Sequence, residues 1–400
     1  RDPEMSRGLG DVYKRQASIW GAGFYAGNYP NRSLKWEETN SYNIGLDLAL
    51  FDNRVELIAD AYYKKTDNLL MQASLPTYVS GLIGAPWVNA GAMTNKGVEF
   101  TLNTRNILTH DFTWTSGLTF SINRNEVTKL YSESSAISGI NGNETLTYTM
   151  VGEPVGQFYG YKVIGMFKEE SDFYKKDADG NFQLDEAGNR IRIAIPKGQQ
   201  ISKNGIWVGD YIYEDLHEDG VIDEKDRTFL GNPAPKFTFG FNNYFAYKGF
   251  DLNIFLNGSV GNKAVNLIRR TFTDPMRNSN LLKEATDIAL IGMHDPEVGD
   301  EELSNVYIVN ADRAKVQRVT TSSANDNNRI SSRFIEDASY LRIKNISLGY
   351  TFPRKWLRHL QIDNIRLYVN IQNLCTISGY KGYDPEIGAL NYNVLLRGVD

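Results

Sequence analysis

Residues 42–63, YNIGLDLALFDNRVELIADAYY, carry an apolar side chain at every second position, pass through Asp52-Asn53, and then resume the alternation. Only a backbone that points successive side chains to opposite faces produces this pattern, so each arm reads as a strand and the pair as a hairpin. Tyr42, Ile44, Leu46, Leu48 and Leu50 share one face of the first arm; Asn43, Gly45, Asp47 and Ala49 share the other. On the second arm Val55, Leu57, Ala59, Ala61 and Tyr63 alternate with Arg54, Glu56, Ile58, Asp60 and Tyr62. What the apolar face touches decides the fold.

The pattern recurs three times. Val98, Phe100 and Leu102 lead through Thr109-His110 into Phe112, Trp114, Leu118, Phe120 and Ile122. Phe237, Phe239 and Phe241 turn at Lys248-Gly249 into Phe250, Leu252, Ile254 and Leu256. YLRIKNISLGYTF joins NIRLYVNIQNL through a connection containing Pro353, with a phase slip near Lys344-Asn345 that predicts a β-bulge. A composition of 12% aromatic residues with 35 glycines suits strands and turns. Between hairpins lie long stretches, 67–95, 124–234 and 259–338, rich in Gly, Asn, Ser and Asp. Short turns thus alternate with long loops. Outer-membrane barrels sort their connections this way, with short turns on the periplasmic side and long loops outside. A lone spanning strand between two outside points is forbidden by parity, so FYGYKVIGMF at 158–167 belongs to a loop, leaving about eight spanning strands in four hairpins. Tyr42, Tyr62, Tyr63, Trp114, Tyr247, Tyr340 and Tyr350 fall near strand ends, where an amphipathic ring suits a membrane interface.

Other classes find little support. A net charge of -5 without basic clusters argues against nucleic acid. No run approaches 18 apolar residues and mean hydropathy is -0.40, so no transmembrane helix is expected, which leaves spanning strands open. Cys375 is the single cysteine, excluding an internal disulfide and a multi-thiolate metal site. His110, His217, His294 and His359 match no catalytic or metal spacing, and GxSxG and P-loop motifs are absent, so no enzyme is expected. The first residues, RDPEMSRGLGDVYKRQ, lack an apolar leader and resemble translated sequencing-adapter sequence; residues 1–16 are set aside from fold reasoning and 17–400 read as a partial barrel.

Two sets of residues suggest sites. DLHEDGVIDEKD, residues 215–226, follows a calcium-loop template: Asp215, Asp219, Asp223 and Asp226 at ligand positions, Gly220 at the sharp turn, and the Val221 carbonyl. His217 departs from it, because imidazole is a poor ligand for a hard cation, and the flanks lack helices. Ca2+ in an extracellular loop is therefore a candidate cofactor. Tyr78, Trp87, Trp207 and Tyr211, all in long loops, are candidates for stacking on cargo. The alternative reading is a secreted soluble all-β glycan-binding module, whose apolar faces pack on one another.

Six ordered stretches, SLKWEETNSYNIGLDLALFDNRV, MTNKGVEFTLN, VGEPVGQFYGYKVIGMF, YEDLHEDGVIDEKDRTFLGNPAPKFTFGFNNYFAYKGFDLNIF, DASYLRIKNISLGYTFP and GYDPEIG, resemble the C-terminal portion of SusC/RagA-like TonB-dependent outer-membrane transporters. The resemblance runs from about position 20 to the end. It implies an all-β fold: an antiparallel transmembrane β-barrel segment, about eight strands of a 22-stranded barrel, with long extracellular loops. The eight would be about the fourteenth to the twenty-first, with the plug, the TonB box, the early strands and the last strand absent. The resemblance further implies a Gram-negative outer membrane, import of oligosaccharide or peptide, and as partners TonB, a SusD-like surface lipoprotein and outer-membrane lipid. Four hundred residues of open sheet leave unpaired edges, so insertion of this segment alone as a sealed pore is not expected.

Overall fold

The computed structural model describes residues 13–18, 21–26, 31–72, 87–131 and 136–399. Its dominant element is an eight-stranded antiparallel sheet in which each strand pairs with its neighbour in sequence. The strands are β1 (Glu38–Leu50), β2 (Val55–Gln72), β3 (Trp87–Leu108), β4 (Phe112–Lys129), β5 (Phe237–Tyr247), β6 (Phe250–Val260), β7 (Tyr340–Thr351) and β8 (Arg366–Ser378). The four expected hairpins are therefore present and pair with one another into a single meander. A separate hairpin, Tyr13–Ser18 with Gly21–Ala26, precedes the sheet and includes part of the segment set aside above.

Turn chemistry sets the register. Phe51, Asp52 and Asn53 all have positive φ, with Asp52-Asn53 at the tip between paired Leu50 and Val55. Lys248 and Gly249 also have positive φ and close β5–β6 in two residues, with Tyr247 opposite Phe250. Two consecutive left-handed residues match the twist of the flanking strands, and glycine adopts that conformation without steric cost. The bulge falls where the phase slip places it: Lys344 is the extra residue of β7 against β6, between Asn345–Phe255 and Ile343–Leu256. Asn373, at positive φ, and Leu374 take up the matching irregularity on β8.

The two faces differ chemically across the whole sheet. Leu48, Leu57, Leu102, Leu118, Phe241, Leu256, Ile343 and Cys375 are successive register partners on one face. Gly45, Asp60, Glu99, Ser121, Thr238, Ser259, Tyr340 and Ser378 form a row on the other. Nothing described covers the apolar face: Ile44, Val98, Leu348 and Val369, on four different strands, are 75%, 45%, 50% and 64% exposed. A soluble sandwich would bury that face against a second sheet, so the exposure speaks for lipid as its solvent. Strands β1 and β5–β8, of 11 to 13 residues, suit a tilted membrane crossing, which takes about 9–11.

Strands β2, β3 and β4, of 18, 22 and 18 residues, continue well past the apolar band. The long-loop boundaries read from sequence at 67 and 95 and at 124 are corrected accordingly: strand structure persists to Gln72, resumes at Trp87, and runs to Lys129. Above these extensions the second and third loops fold into a body with its own cores. Strands Ile137–Asn141, Glu144–Thr149, Gln157–Tyr161 and Arg227–Gly231 make a four-stranded sheet. FYGYKVIGMF lies in this body, as parity requires, with Val163–Met166 paired to Tyr211–Tyr213. One core gathers Phe167, Phe173, Ile206, Trp207, Val208 and Tyr213; another joins Leu146, Phe158, Val265, Phe334 and Val399 from distant parts of the chain.

Within this body Arg269 bridges Glu284 and Glu336, donating to the latter at 3.1 Å, and also donates to the Arg333 carbonyl. The Arg269 hydrogen bond holds the Glu284 carboxyl below its ordinary value of 4.5, against the opposing effect of burial. A depressed carboxylate favours the folded state above its unfolded pKa and loses that contribution as pH falls through the folded value. Replacing Glu284 with glutamine is therefore expected to flatten the acid limb of loop-body unfolding below about pH 4.5, as followed by hydrogen exchange.

Candidate functional site

The polar face of the sheet is held in place by hydrogen bonds between strands. Asp251 on β6 takes two bonds from Arg366 on β8, at 3.1 and 2.5 Å. Asn103 donates to Glu56 at 3.0 Å, and the Tyr62 hydroxyl donates to Asn123 at 3.0 Å. Tyr62 and Tyr340 thus belong to the polar face and not to an interfacial belt. Gly97 opposite Tyr62 leaves room for that ring, since a Cβ there would come within 2.5 Å of the phenol oxygen. Near the long-loop end, buried Arg342 donates to Asp384 at 2.5 Å and Glu386 at 2.6 Å, tying the GYDPEIG stretch to the wall.

Above this face, a cleft of about 1890 Å³ separates the extended ends of β2–β4 from the loop body. Leu70, Met71, Trp87, Val127, Tyr131 and Val155 give it an apolar lining, and Asn123, Asn125, Arg124 and Lys236 supply polar groups. Of the four aromatic candidates, Trp87 lines this cleft at the start of β3 and is half-buried. Trp207 and Tyr211 are only 2% and 5% exposed, so they pack the loop core and offer no free face to cargo. Burial pushes the Tyr211 phenol up to about 12, and its hydroxyl donates to the Lys315 carbonyl at 2.8 Å. Tyr78 lies outside the described residues. The cleft escaped sequence reading because its walls come from segments far apart in the chain, and the strand extensions that shape it lose clear alternation.

The 215–226 loop closes on its own amides. Asp226, 1% exposed, accepts from Leu216 at 2.9 Å through Oδ1 and from Asp223 at 2.8 Å through Oδ2, completing a capping box with Asp223. Asp215 accepts from the Gly220 amide at 3.0 Å, Asp219 from Val221 at 3.1 Å, and Asp223 from Lys225 at 2.8 Å. Val221 lies in a two-residue strand paired with Ile195–Pro196. Asp215 Oδ1 is buried without a hydrogen-bond partner among the described residues. Among the described residues no three acidic, His or Cys groups stand close enough to hold an ion. The loop carboxylates serve as acceptors for the turn, and Asp226→Ala is expected to cost the loop about 1.5–3 kcal/mol, seen as faster exchange of the Leu216 and Asp223 amides.

Comparison with known proteins places this geometry. The family model described as TonB dependent receptor-like, beta-barrel, matches residues 5–374. The chain belongs to the TonB-dependent receptor β-barrel family. It is 34% identical over 370 residues to TonB-dependent receptor P3 of Formosa agariphila, covering 92% of this chain and 32% of that protein. It is 26% identical over 373 residues to TonB-dependent receptor SusC of Bacteroides thetaiotaomicron, again covering 92% and 32%. The solved structure of the RagAB peptide transporter superposes with a TM-score of 0.72 at 22% identity, covering 98% of this chain and 36% of that one. The chain spans about a third of the length of the curated relatives it matches. The family's members are outer-membrane β-barrel proteins, and the exposed apolar face of β1–β8 is the surface such a barrel presents to lipid.

Proposed function

We propose that the chain forms part of the wall and extracellular loops of a TonB-dependent importer of oligosaccharide or peptide in a Gram-negative outer membrane. The observation that carries this reading is an eight-stranded sheet that is apolar without and polar within, continuing at one end into a folded loop body over a cleft. The polar wall lines the passage, and the cleft with Trp87 contacts cargo as it enters. TonB supplies energy through a plug, and a SusD-like surface lipoprotein covers the mouth. In support, one relative is named SusC and one neighbour is described as a peptide transporter. None of the reading calls for catalysis.

Deleting the complete gene in its host and measuring growth on single oligosaccharides and peptides tests the proposal. Growth on one cargo class should be lost and be restored by the intact gene, whereas the Trp87→Ala gene should restore uptake several-fold less well. Unchanged growth of the deletion strain on every cargo of both classes would remove the import reading.

A further inference from the structure

The four short connections lie together at one end of the sheet. Lys248 donates its amide to the Asp111 carbonyl at 3.3 Å, and Thr351 donates to Gly249 at 2.8 Å. Three of them are tight, but the β7–β8 connection, residues 352–365, builds a short helix, Arg354–Leu357, followed by a 3₁₀ turn to Leu360. Leu357 anchors it at 4% exposure, and Gln361, at positive φ, ends it. The sequence here, RKWLRH, is a short local basic cluster that the net-acidic balance of the chain conceals, and it places Arg354, Lys355, Arg358 and His359 around Trp356.

Two independent features converge on Trp356. The first is an aromatic line on the lipid side of the sheet. Phe250 and Tyr350 lie 4.5 Å apart, Tyr350 and Phe352 5.0 Å, and Phe352 and Trp356 6.4 Å. Phe112 and Tyr247 extend it along the neighbouring hairpins at 6.5 Å. Tyr247, Phe250 and Trp356 are 50%, 52% and 60% exposed, the behaviour of an interfacial girdle. The second is charge. Arg354 is paired to Asp363 at 2.8 Å, while Lys355 and Arg358 are exposed and Lys248 stands on the adjacent turn. The remaining acids of the short connections, Asp52 and Asp111, belong to the first two hairpins. Cations set immediately beyond an aromatic girdle meet phosphodiester groups, whereas a ring buried in a protein partner would have no reason to continue the lipid-facing line.

We propose that the β7–β8 connection is a docking site for anionic phospholipid in the leaflet at the short-turn end, with Trp356 at the glycerol level and Lys355 and Arg358 on the phosphate. The inference rests on the membrane reading given above. Lys355 and Arg358, each without an ion-pair partner among the described residues, should each enrich anionic over zwitterionic lipid about fivefold.

The test uses the complete transporter in nanodiscs of phosphatidylethanolamine, in which either phosphatidylglycerol or phosphatidylethanolamine carries bromine near the glycerol end of its chains at equal mole fraction. The Trp356 signal is the difference between wild type and Trp356→Phe. Brominated phosphatidylglycerol should quench it well beyond the mole-fraction share, and the pair Lys355→Gln with Arg358→Gln should make the two lipids equivalent. Equal quenching by both lipids in the wild type overturns the proposal, whatever the variant does. If neither lipid quenches Trp356 or Trp114, which faces the same side, the membrane reading itself fails; if Trp114 is quenched and Trp356 shows no preference, only the lipid site fails.

Discussion

An arginine at Leu46 should cost the complete barrel about 2–4 kcal/mol, because it places a charge near the middle of the lipid-facing band. Leu46 lies in a row with Ala59, Phe100, Phe120 and Phe239, four residues from either end of the apolar run Tyr42 to Leu50 on β1. Asn43→Arg, three residues away on the opposite face, should stay within about 0.5 kcal/mol, since that face meets water. Reversible urea unfolding from lipid vesicles, followed by tryptophan fluorescence, measures both. Equal costs at the two positions would mean that the faces do not differ in solvent.

Removing the Arg318 guanidinium should unfold part of the loop body. Asp210 and Arg318 are 1% and 4% exposed and share two hydrogen bonds, at 3.0 and 3.1 Å. Asn327 and the Trp207 amide each complete the Asp210 acceptors at 2.9 Å, while Arg318 also donates to the Lys203 and Gly205 carbonyls at 2.8 Å. The pair itself is worth little net, because desolvation offsets attraction, but losing one partner strands a buried charge at about 3–5 kcal/mol. Arg318→Met should therefore open residues near 203–213 to protease in the otherwise intact barrel, and Asp210→Leu added to it should restore much of the protection. Protection unchanged in the single variant would show that water reaches Asp210 in the native state.

These two effects belong to the part of the molecule that was legible in sequence and the part that was not. Strands β1 and β5–β8 were readable because lipid and water impose opposite demands on alternate residues, and Asp52-Asn53 and Lys248-Gly249 mark turns that need positive φ. The slip at Lys344 was readable for the same reason: one extra residue moves every following side chain to the other face unless a bulge absorbs it. Beyond the membrane that constraint lapses. Leu69, Leu70 and Met71 run together where β2 pairs irregularly with β3, so the alternation that marks a strand is lost there. Trp207 and Tyr211 looked like free loop aromatics, because only contacts with residues a hundred positions away make them core. Acidic spacing at 215–226 likewise cannot distinguish oxygens that bind an ion from oxygens that accept turn amides, and Asp226 does the latter.

The most direct measurement is spin-label accessibility along β1, one label at a time from position 42 to 50, in the full-length receptor reconstituted in lipid. Oxygen, which partitions into the bilayer, should relax labels at positions 42, 44, 46, 48 and 50, and a water-soluble nickel reagent those at 43, 45, 47 and 49, in strict alternation. Uniform access to the aqueous reagent at both sets would contradict a lipid-facing wall and return β1–β8 to a soluble sheet whose apolar face is covered by protein.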